Sequence, residues 1–542
     1  MIDRRRFIGT TVAGGTGLAL GAGCTSDSGQ GAEATGTSPV GPFELDEIDV
    51  AGLQRSMESG ERTARSVTEL YLARIEELNV RGPELRAIIE TNPDAPAVAA
   101  ELDAERAAGN LRGPLHGIPV VIKDNIDTHD RMTTTAGSLA LEGSIPAADS
   151  HVAQRLREAG AIILAKANLS EWANFRGSPS TSGWSARGGQ CRNPYALNRN
   201  PCGSSSGSGV AASANLAAVT VGTETDGSIM CPSSINGIVG IKPTVGLWSR
   251  AGIIPISHSQ DTAGPMCRTV RDAAILLGAV TGVDARDTAT SASRGNAQTD
   301  YAQFLDAGGL RGARVGVARN FTGFGARVGA LFEQALDAMR AGGATVVDPA
   351  SLDVDPAVDE LSLLLLEYEF KAGLDAYLGG LGANAPVKSL ADVIAFNERN
   401  ASLEMPFFGQ ELFHSSQARG PLTDPQYARV TRTLQRAYRG DGIDRLMNEH
   451  GLDAIVAPTM GLAWPTDHIK GDPVAGLGSS TSPAAIAGYP SITVPMGLVS
   501  GLPAGLSLFG RAWSEPTLIR IAYAYEQATN GREPPTFAAT LG

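Results

Sequence analysis

Cysteine and histidine are scarce in this chain, at five and seven of 542 residues. No CxxC pair and no Cys/His grouping at zinc spacing occurs, so the pattern calls for no metal centre. Basic runs are missing too. Lys and Arg total 44 against 57 acidic residues, a net charge of −13, and the one basic run is Arg4-Arg5-Arg6. That balance argues against a nucleic-acid partner and says little about substrate. No internal repeat is visible. No Gly-Lys-Ser/Thr follows the glycine-rich stretches, which excludes a phosphate-binding loop, and no cofactor is called for. Glycine and proline are plentiful instead, at 65 and 31 residues. They point to many turns and close-packed loops in a globular protein.

Residues 1–24 read as an export signal. Arg4-Arg5-Arg6-Phe7-Ile8 precede an uncharged Gly/Ala/Leu stretch ending at Cys24, too short and too weakly apolar for a stable membrane span. That order of features is the order of a twin-arginine type signal. Leu20-Gly21-Ala22-Gly23-Cys24 resembles a lipoprotein cleavage box with its leucine one place early, so lipid attachment at Cys24 stays open. Residues 25–42 form a Gly/Ser/Thr/Pro tether without periodicity. The expectation is an extracytoplasmic protein that meets the membrane through export and, if lipidated, through Cys24. Nothing fixes an oligomeric state. Of the other cysteines, Cys191 and Cys202 flank one loop and could pair outside the cell. The alternative is that Cys191, Cys202, Cys231 and Cys267 are all small buried residues.

From residue 43 the pattern alternates helices with short apolar strands. Over 62–79, Val67, Leu70, Tyr71, Ile75 and Leu78 fall on one helical stripe. Strands are expected at 118–122, 161–164, 217–221, 314–317, 454–457, 491–494 and 505–509, with helices at 151–158 and 271–280 between them. The fold class is therefore α/β, with a single large mixed β-sheet core surrounded by helices over 43–542. Residues 320–450 are helix-rich, notably 361–381 and 426–450. They are expected to cover the substrate end of the sheet rather than to form a separate unit, because strands resume afterwards.

The chemistry concentrates in residues 198–244, where the serine cluster Ser204-Ser205-Ser206 and Ser228 are set among glycine and small residues. Such a stretch lets backbone approach backbone and leaves main-chain N–H groups free to face a ligand. Ser228 follows the turn Glu224-Thr225-Asp226-Gly227, whose Thr225, Asp226 and Gly227 N–H groups could hold an oxyanion. Lys123 ends the apolar run 118–122. Burial there would favour its neutral amine over the ammonium and make it a candidate base. Lys123 in HGIPVVIKDN and the two serine clusters resemble the amidase signature family of serine hydrolases. The resemblance spans residues 45–535 and is most specific at 115–265. It implies that Ser228 is the nucleophile, and that Ser204, following a cis peptide bond, relays its proton to neutral Lys123. The implied reaction is hydrolysis of linear amides through an acyl-enzyme.

Two competing patterns fail. Gly203-Ser204-Ser205-Ser206-Gly207 matches a G-x-S-x-G elbow with Ser205 as nucleophile, but that elbow must follow a strand and 193–202 reads as a Pro-punctuated loop. His116 is the one histidine near the motifs and reads as a packing or loop residue. Thr133 to Ser138, Ala167 to Asn174 and the ending 510–529 resemble a peptide-amidase-like branch, which implies a small-molecule or peptide amide as substrate. Three departures stand out. Met230 replaces an arginine found in many members, which favours a neutral or apolar substrate. Glu224-Thr225-Asp226-Gly227 stands for the commoner Asp-Thr-Gly-Gly. Cys202 and Ser206 replace glycines. Two rival functions are a non-catalytic substrate-binding lipoprotein and a glutamine-dependent transamidation subunit. The first would need no Lys/Ser/Ser set.

Export is expected to depend on Arg4 and Arg5. Replacing both by lysine should leave precursor in the cytoplasm with its first 23 residues uncleaved, as fractionation and N-terminal mass spectrometry would show. A variant processed like the wild type would contradict the signal.

Overall fold

The computed structural model describes residues 40–382, 385–473 and 479–541. The signal, Cys24 and nearly all of the tether lie outside the described residues.

Among the described residues thirteen strands form two sheets. In chain order they are β1 (Ile88–Thr91), β2 (Pro119–Lys123), β3 (Ile162–Ala167), β4 (Trp184–Ser185), β5 (Gly189–Gln190), β6 (Val219–Glu224) and β7 (Val239–Lys242). There follow β8 (Thr262–Cys267), β9 (Arg314–Val317), β10 (Thr345–Val347), β11 (Ala454–Pro458), β12 (Ser491–Val499) and β13 (Leu502–Phe509). Eleven of them make one mixed sheet ordered β1-β3-β2-β6-β8-β7-β12-β13-β11-β9-β10, and β4 with β5 forms a small hairpin. The α/β expectation with one large mixed sheet holds.

All seven expected strands exist, shifted by a few residues at their ends. Four further strands of the large sheet carry weaker signals. β1 and β10 are short, β7 includes Gly240, and β8 includes Gly264 and Pro265, which read as turn residues in isolation. Gly264 is needed where it stands, because a Cβ there would collide with the carbonyl oxygen of Ile241 on β7.

β2 runs parallel to both β3 and β6, with Val120 opposite Val219 and Ile122 opposite Val221. Parallel neighbours end on the same side, so Lys123, the last residue of β2, and Glu224, the last of β6, emerge at one edge of the sheet. The loops after both strands therefore share that edge. Every residue of β2, β3 and β6 is buried, as a central strand covered on both faces requires.

The 320–450 region departs from a purely helical cover. β9 leads into it and β10 lies within it, and both extend the same sheet, β9 pairing parallel with β11 and β10 parallel with β9. Its helix Leu361–Gly380 sends Phe370, Leu374 and Leu378 into one apolar cluster with Leu169, Trp172, Phe175, Ile254 and Ile256. That cluster packs helix against loop on the edge where β2 and β3 end. The helix-rich stretch 426–450 is divided into Pro425–Gln435, a wide turn Arg436–Asp444 and Arg445–His450. Gly440 and Gly442 supply the break, with Gly442 at non-helical φ and ψ.

Helix Ser206–Ser213 begins in the serine cluster and is buried at every residue. Its small side chains let it lie directly on neighbouring backbone. A Cβ on Gly207 would meet the carbonyl oxygens of Ala87 and Asn168 and the Asn168 nitrogen. Backbone cannot step aside as a side chain can. Gly207→Ala is expected to lower thermal stability by several degrees and to reduce activity with it, measured by melting and residual turnover. An unchanged melting temperature would show that the helix has room.

Candidate active site

Lys123 is fully buried. Its Nζ lies 2.8 Å from Ser204 Oγ, 2.8 Å from Thr223 Oγ1 and 3.3 Å from the Thr223 carbonyl oxygen. All three partners are uncharged. Burial lowers the lysine from its ordinary range to about 7, and the negative charges of Asp261 and Glu224 oppose this only in part. Near neutral pH a large fraction of the amine is therefore free to accept a proton. Asn125 Nδ2 donates to the same Thr223 hydroxyl at 3.0 Å, which ties the loop after β2 to the end of β6.

Ser204 enters through a cis Gly203–Ser204 peptide. Its carbonyl oxygen accepts from Ser170 N at 3.0 Å, so the loop after β3 braces it. That loop runs through three consecutive non-glycine residues at positive φ, Trp172, Ala173 and Asn174. Such a left-handed run costs about 1–2 kcal/mol per residue and stands only where neighbours enforce it. A fully buried ion pair, Arg176 Nη1 to Glu171 Oε1 at 2.9 Å, supplies part of that enforcement.

Ser228 follows Gly227, which takes a φ of +76° that glycine adopts without strain. The turn is held from inside by Glu224, whose Oε2 accepts from Ile229 N at 2.7 Å and Met230 N at 2.9 Å. Thr225 is held by Asp261, with Oγ1 to Oδ1 at 2.6 Å, and by Gln260, whose Nε2 donates to the Thr225 carbonyl at 3.2 Å. Asp226 Oδ1 accepts from Thr481 Oγ1 at 2.9 Å. Among the described residues, the N–H groups of Thr225, Asp226 and Gly227 meet no acceptor. With every side-chain anchor pulling elsewhere, these three donors stay unspent beside Ser228.

The two serine segments also meet directly, since Ser205 N donates to the Ser228 carbonyl oxygen at 3.1 Å. Ser205 Oγ donates to the Thr223 carbonyl at 2.9 Å and accepts from Thr223 N at 3.1 Å. Both uses are structural, and no strand of the large sheet leads into Ser205, so the elbow pattern is excluded on its own terms. His116 is fully buried with Nε2 against the Leu102 carbonyl at 2.9 Å. It packs between elements, as expected.

The cysteine expectations need correction. Cys202 is bonded to Cys231, with Cα atoms 6.1 Å apart, and Cys191 and Cys267 are free and buried. Cys191 does not pair with Cys202. Burial pushes its thiol well above the ordinary range, while its backbone N is engaged by the Gly183 carbonyl. Sequence reading also missed the supporting set Asn125, Thr223, Glu224 and Asp261. The one signal for it was Glu224 itself, a charged residue at the end of an otherwise uncharged strand.

A cavity of about 210 Å³ reaches this edge of the sheet. Asn125, Thr223, Glu224 and Thr225 line its inner end, Ile253, Ile254 and Ile256 one wall, and Arg250, His258 and Arg286 its mouth.

Known proteins resemble this chain over most of its length. The family model described as Amidase matches residues 66–519. A probable amidase of Arabidopsis thaliana is 44% identical over 510 residues, covering 92% of this chain and 93% of the relative. The structure of native peptide amidase from Stenotrophomonas maltophilia is 54% identical with a TM-score of 0.87, covering 92% of this chain and all of the other. A glutamyl-tRNA(Gln) amidotransferase subunit from Roseiflexus is 35% identical, covering 90% of this chain and 97% of the relative.

Glu224 both anchors the turn and raises the lysine by its charge. Glu224→Gln keeps an acceptor oxygen but loses the charge, so the acid limb of the pH–rate profile should move to lower pH with turnover reduced less than about tenfold. Glu224→Ala should lose far more, because two buried N–H groups are left unpaired. Equal losses in the two variants, with no shift of the limb, would contradict this role.

Proposed function

The chain belongs to the amidase family, and we propose that it cleaves the terminal carboxamide of peptide amides through an acyl-enzyme on Ser228. That it is a hydrolase of amide C–N bonds follows from the family and its structural neighbours. The finer reading rests on one observation above others, a buried lysine amine 2.8 Å from a serine hydroxyl with no carboxylate partner.

Neutral Lys123 takes the Ser204 proton as Ser204 takes the proton of Ser228, and Ser228 Oγ attacks the amide carbon. The oxyanion settles on the N–H groups of Thr225, Asp226 and Gly227, which exist before the substrate arrives and cost no reorganisation. Protons then return along the same path to the leaving nitrogen, and water releases the acid. A primary carboxamide as substrate is supported by similarity to peptide amidase structures, one of them a complex with the competitive inhibitor chymostatin at 53% identity. A transamidation role has weaker support, since identity to the amidotransferase relative is 35%. The twin-arginine and cleavage-box features of residues 1–24 support export, with the enzyme working outside the cytoplasm.

Ser228→Ala is expected to reduce hydrolysis of a peptide amide by at least about 10⁴-fold with the melting temperature little changed. Lys123→Arg should be equally inactive, because an arginine does not give up its proton. In the wild type, kcat/KM should rise with pH through an apparent pKa near 7 and then level off. The folded lysine ionises at about 7, and deprotonation is what activates it. Substantial turnover by Lys123→Arg at neutral pH would remove the neutral-lysine base.

A further inference from the structure

Cys202 and Cys231 bracket the two serines from outside. Cys202 stands two residues before Ser204, and Cys231 stands three residues after Ser228. Between the serine loop and the turn of Ser228, one backbone hydrogen bond is formed among the described residues, from Ser205 N to the Ser228 oxygen. Ser205 Oγ adds two bonds to the Thr223 backbone at the foot of that turn, but no direct bond joins Ser204 to Ser228 among the described residues, and the small side chains of residues 203–206 offer little dispersion to fix their spacing.

Each half of the disulfide is tied into its own segment. Cys202 N donates to Asn200 Oδ1 at 2.8 Å, and its carbonyl oxygen accepts from Ser206 Oγ at 2.5 Å. Cys231 N donates to the Gly227 oxygen at 2.7 Å, across the turn that carries Ser228. A displacement at either sulfur therefore reaches a serine through two or three peptide units. Cys202 also sits at φ +58°, a left-handed conformation that favours glycine. A side chain is kept there against local preference, and the bond is what that side chain supplies. Both cysteines lie in an apolar cluster with Tyr195, Ile235, Met460 and Trp464, away from casual reductants.

We propose that the Cys202–Cys231 disulfide is a positioning crosslink that sets the separation of Ser204 and Ser228, so that full acylation speed is reached only with the bond formed. The inference rests on the proposed roles of those two serines. Forming the bond removes two electrons and two protons from the thiols, taken up by a second disulfide such as that of oxidised glutathione or a thiol–disulfide oxidoreductase. The bond thus ties maturation to an oxidising compartment. A misplacement of about 1 Å between reacting groups can cost about 100-fold in rate, so a loss of that order is the expected scale.

The test uses the full chain and a fluorophosphonate probe. Mass spectrometry should locate the label on Ser228 in the oxidised wild type, which checks the nucleophile independently of the crosslink. The second-order labelling rate is then measured on the wild type before and after reduction by a phosphine, and again after reoxidation with oxidised glutathione. It is also measured on Cys202→Gly/Cys231→Ala, where glycine keeps the +58° turn without strain. Labelling and kcat should fall at least about tenfold in the reduced protein and in the double variant, with KM within about twofold, and reoxidation should restore the wild type alone. If reduction and the double variant lower the melting temperature but leave labelling rate and kcat intact, the bond is a stabiliser only and the proposal is wrong. Peptide mapping that finds both thiols free in fully active enzyme would also overturn it.

Discussion

A lysine ammonium removed from water with no carboxylate to receive it is unfavourable as a charged group, and the molecule is arranged around that fact. β2 is covered on both faces, so its last residue has no route to solvent. The hydrogen-bond partners waiting for Lys123 are a serine hydroxyl, a threonine hydroxyl and a carbonyl, which suit an amine and do little for an ammonium. Neighbouring Lys166 makes the contrast clear. It is buried to the same degree on the next strand, bonded to the Ile126 carbonyl and Thr134 hydroxyl, and it has Asp124 and Asp127 facing it. Burial lowers both lysines, but the bonds of Lys166 tie down the loop after β2, whereas Lys123 meets the Ser204 hydroxyl.

The second constraint is closeness of backbone. The proposed proton relay through hydroxyls needs hydrogen-bond range between segments that start from β2, β6 and the loop before helix Ser206–Ser213. Small residues solve this by removing side chains from the contacts. Gly207 lies on the Asn168 backbone and Gly222 on Ser205, while Ser205 itself is laid along Thr223 by two hydrogen bonds. The carboxylate of Glu224 then spends both of its accepted bonds on the residues after Ser228. Because these anchors engage other groups of the turn, the donors of Thr225, Asp226 and Gly227 remain available.

Much of this could be read from the chain. The apolar run before Lys123 and the glycine-set serines announced a buried base and two close-packed turns, because burial and backbone approach leave compositional marks. The large mixed sheet followed from the β/α alternation. What escaped had no local mark. β8 holds its glycine because β7 crowds it, and only the neighbouring strand shows the reason. The partner of Cys202 could not be chosen by spacing, since Cys191 is nearer in sequence and Cys231 is nearer in space. Thr223 and Asn125 are ordinary polar residues until the parallel pairing of β2 with β6 sets the Thr223 hydroxyl between the Lys123 amine and the Asn125 amide. Helix Leu361–Gly380 was visible as a helix, but its hold on the 169–175 loop through Phe370 and Leu374 depends on chain folding over hundreds of residues.

The central claim is that Lys123 is substantially neutral in the resting enzyme. Its most direct test is an NMR titration of lysine side-chain carbons in isotopically labelled protein, with the Lys123 signal assigned by its loss in Lys123→Arg. Burial also lowers Lys166 and Lys242, so the account predicts that the resonance lost in the variant is one that titrates near pH 7, well below the ordinary value of about 10.4. A Lys123 resonance that stays in its charged position until about pH 10 would contradict it.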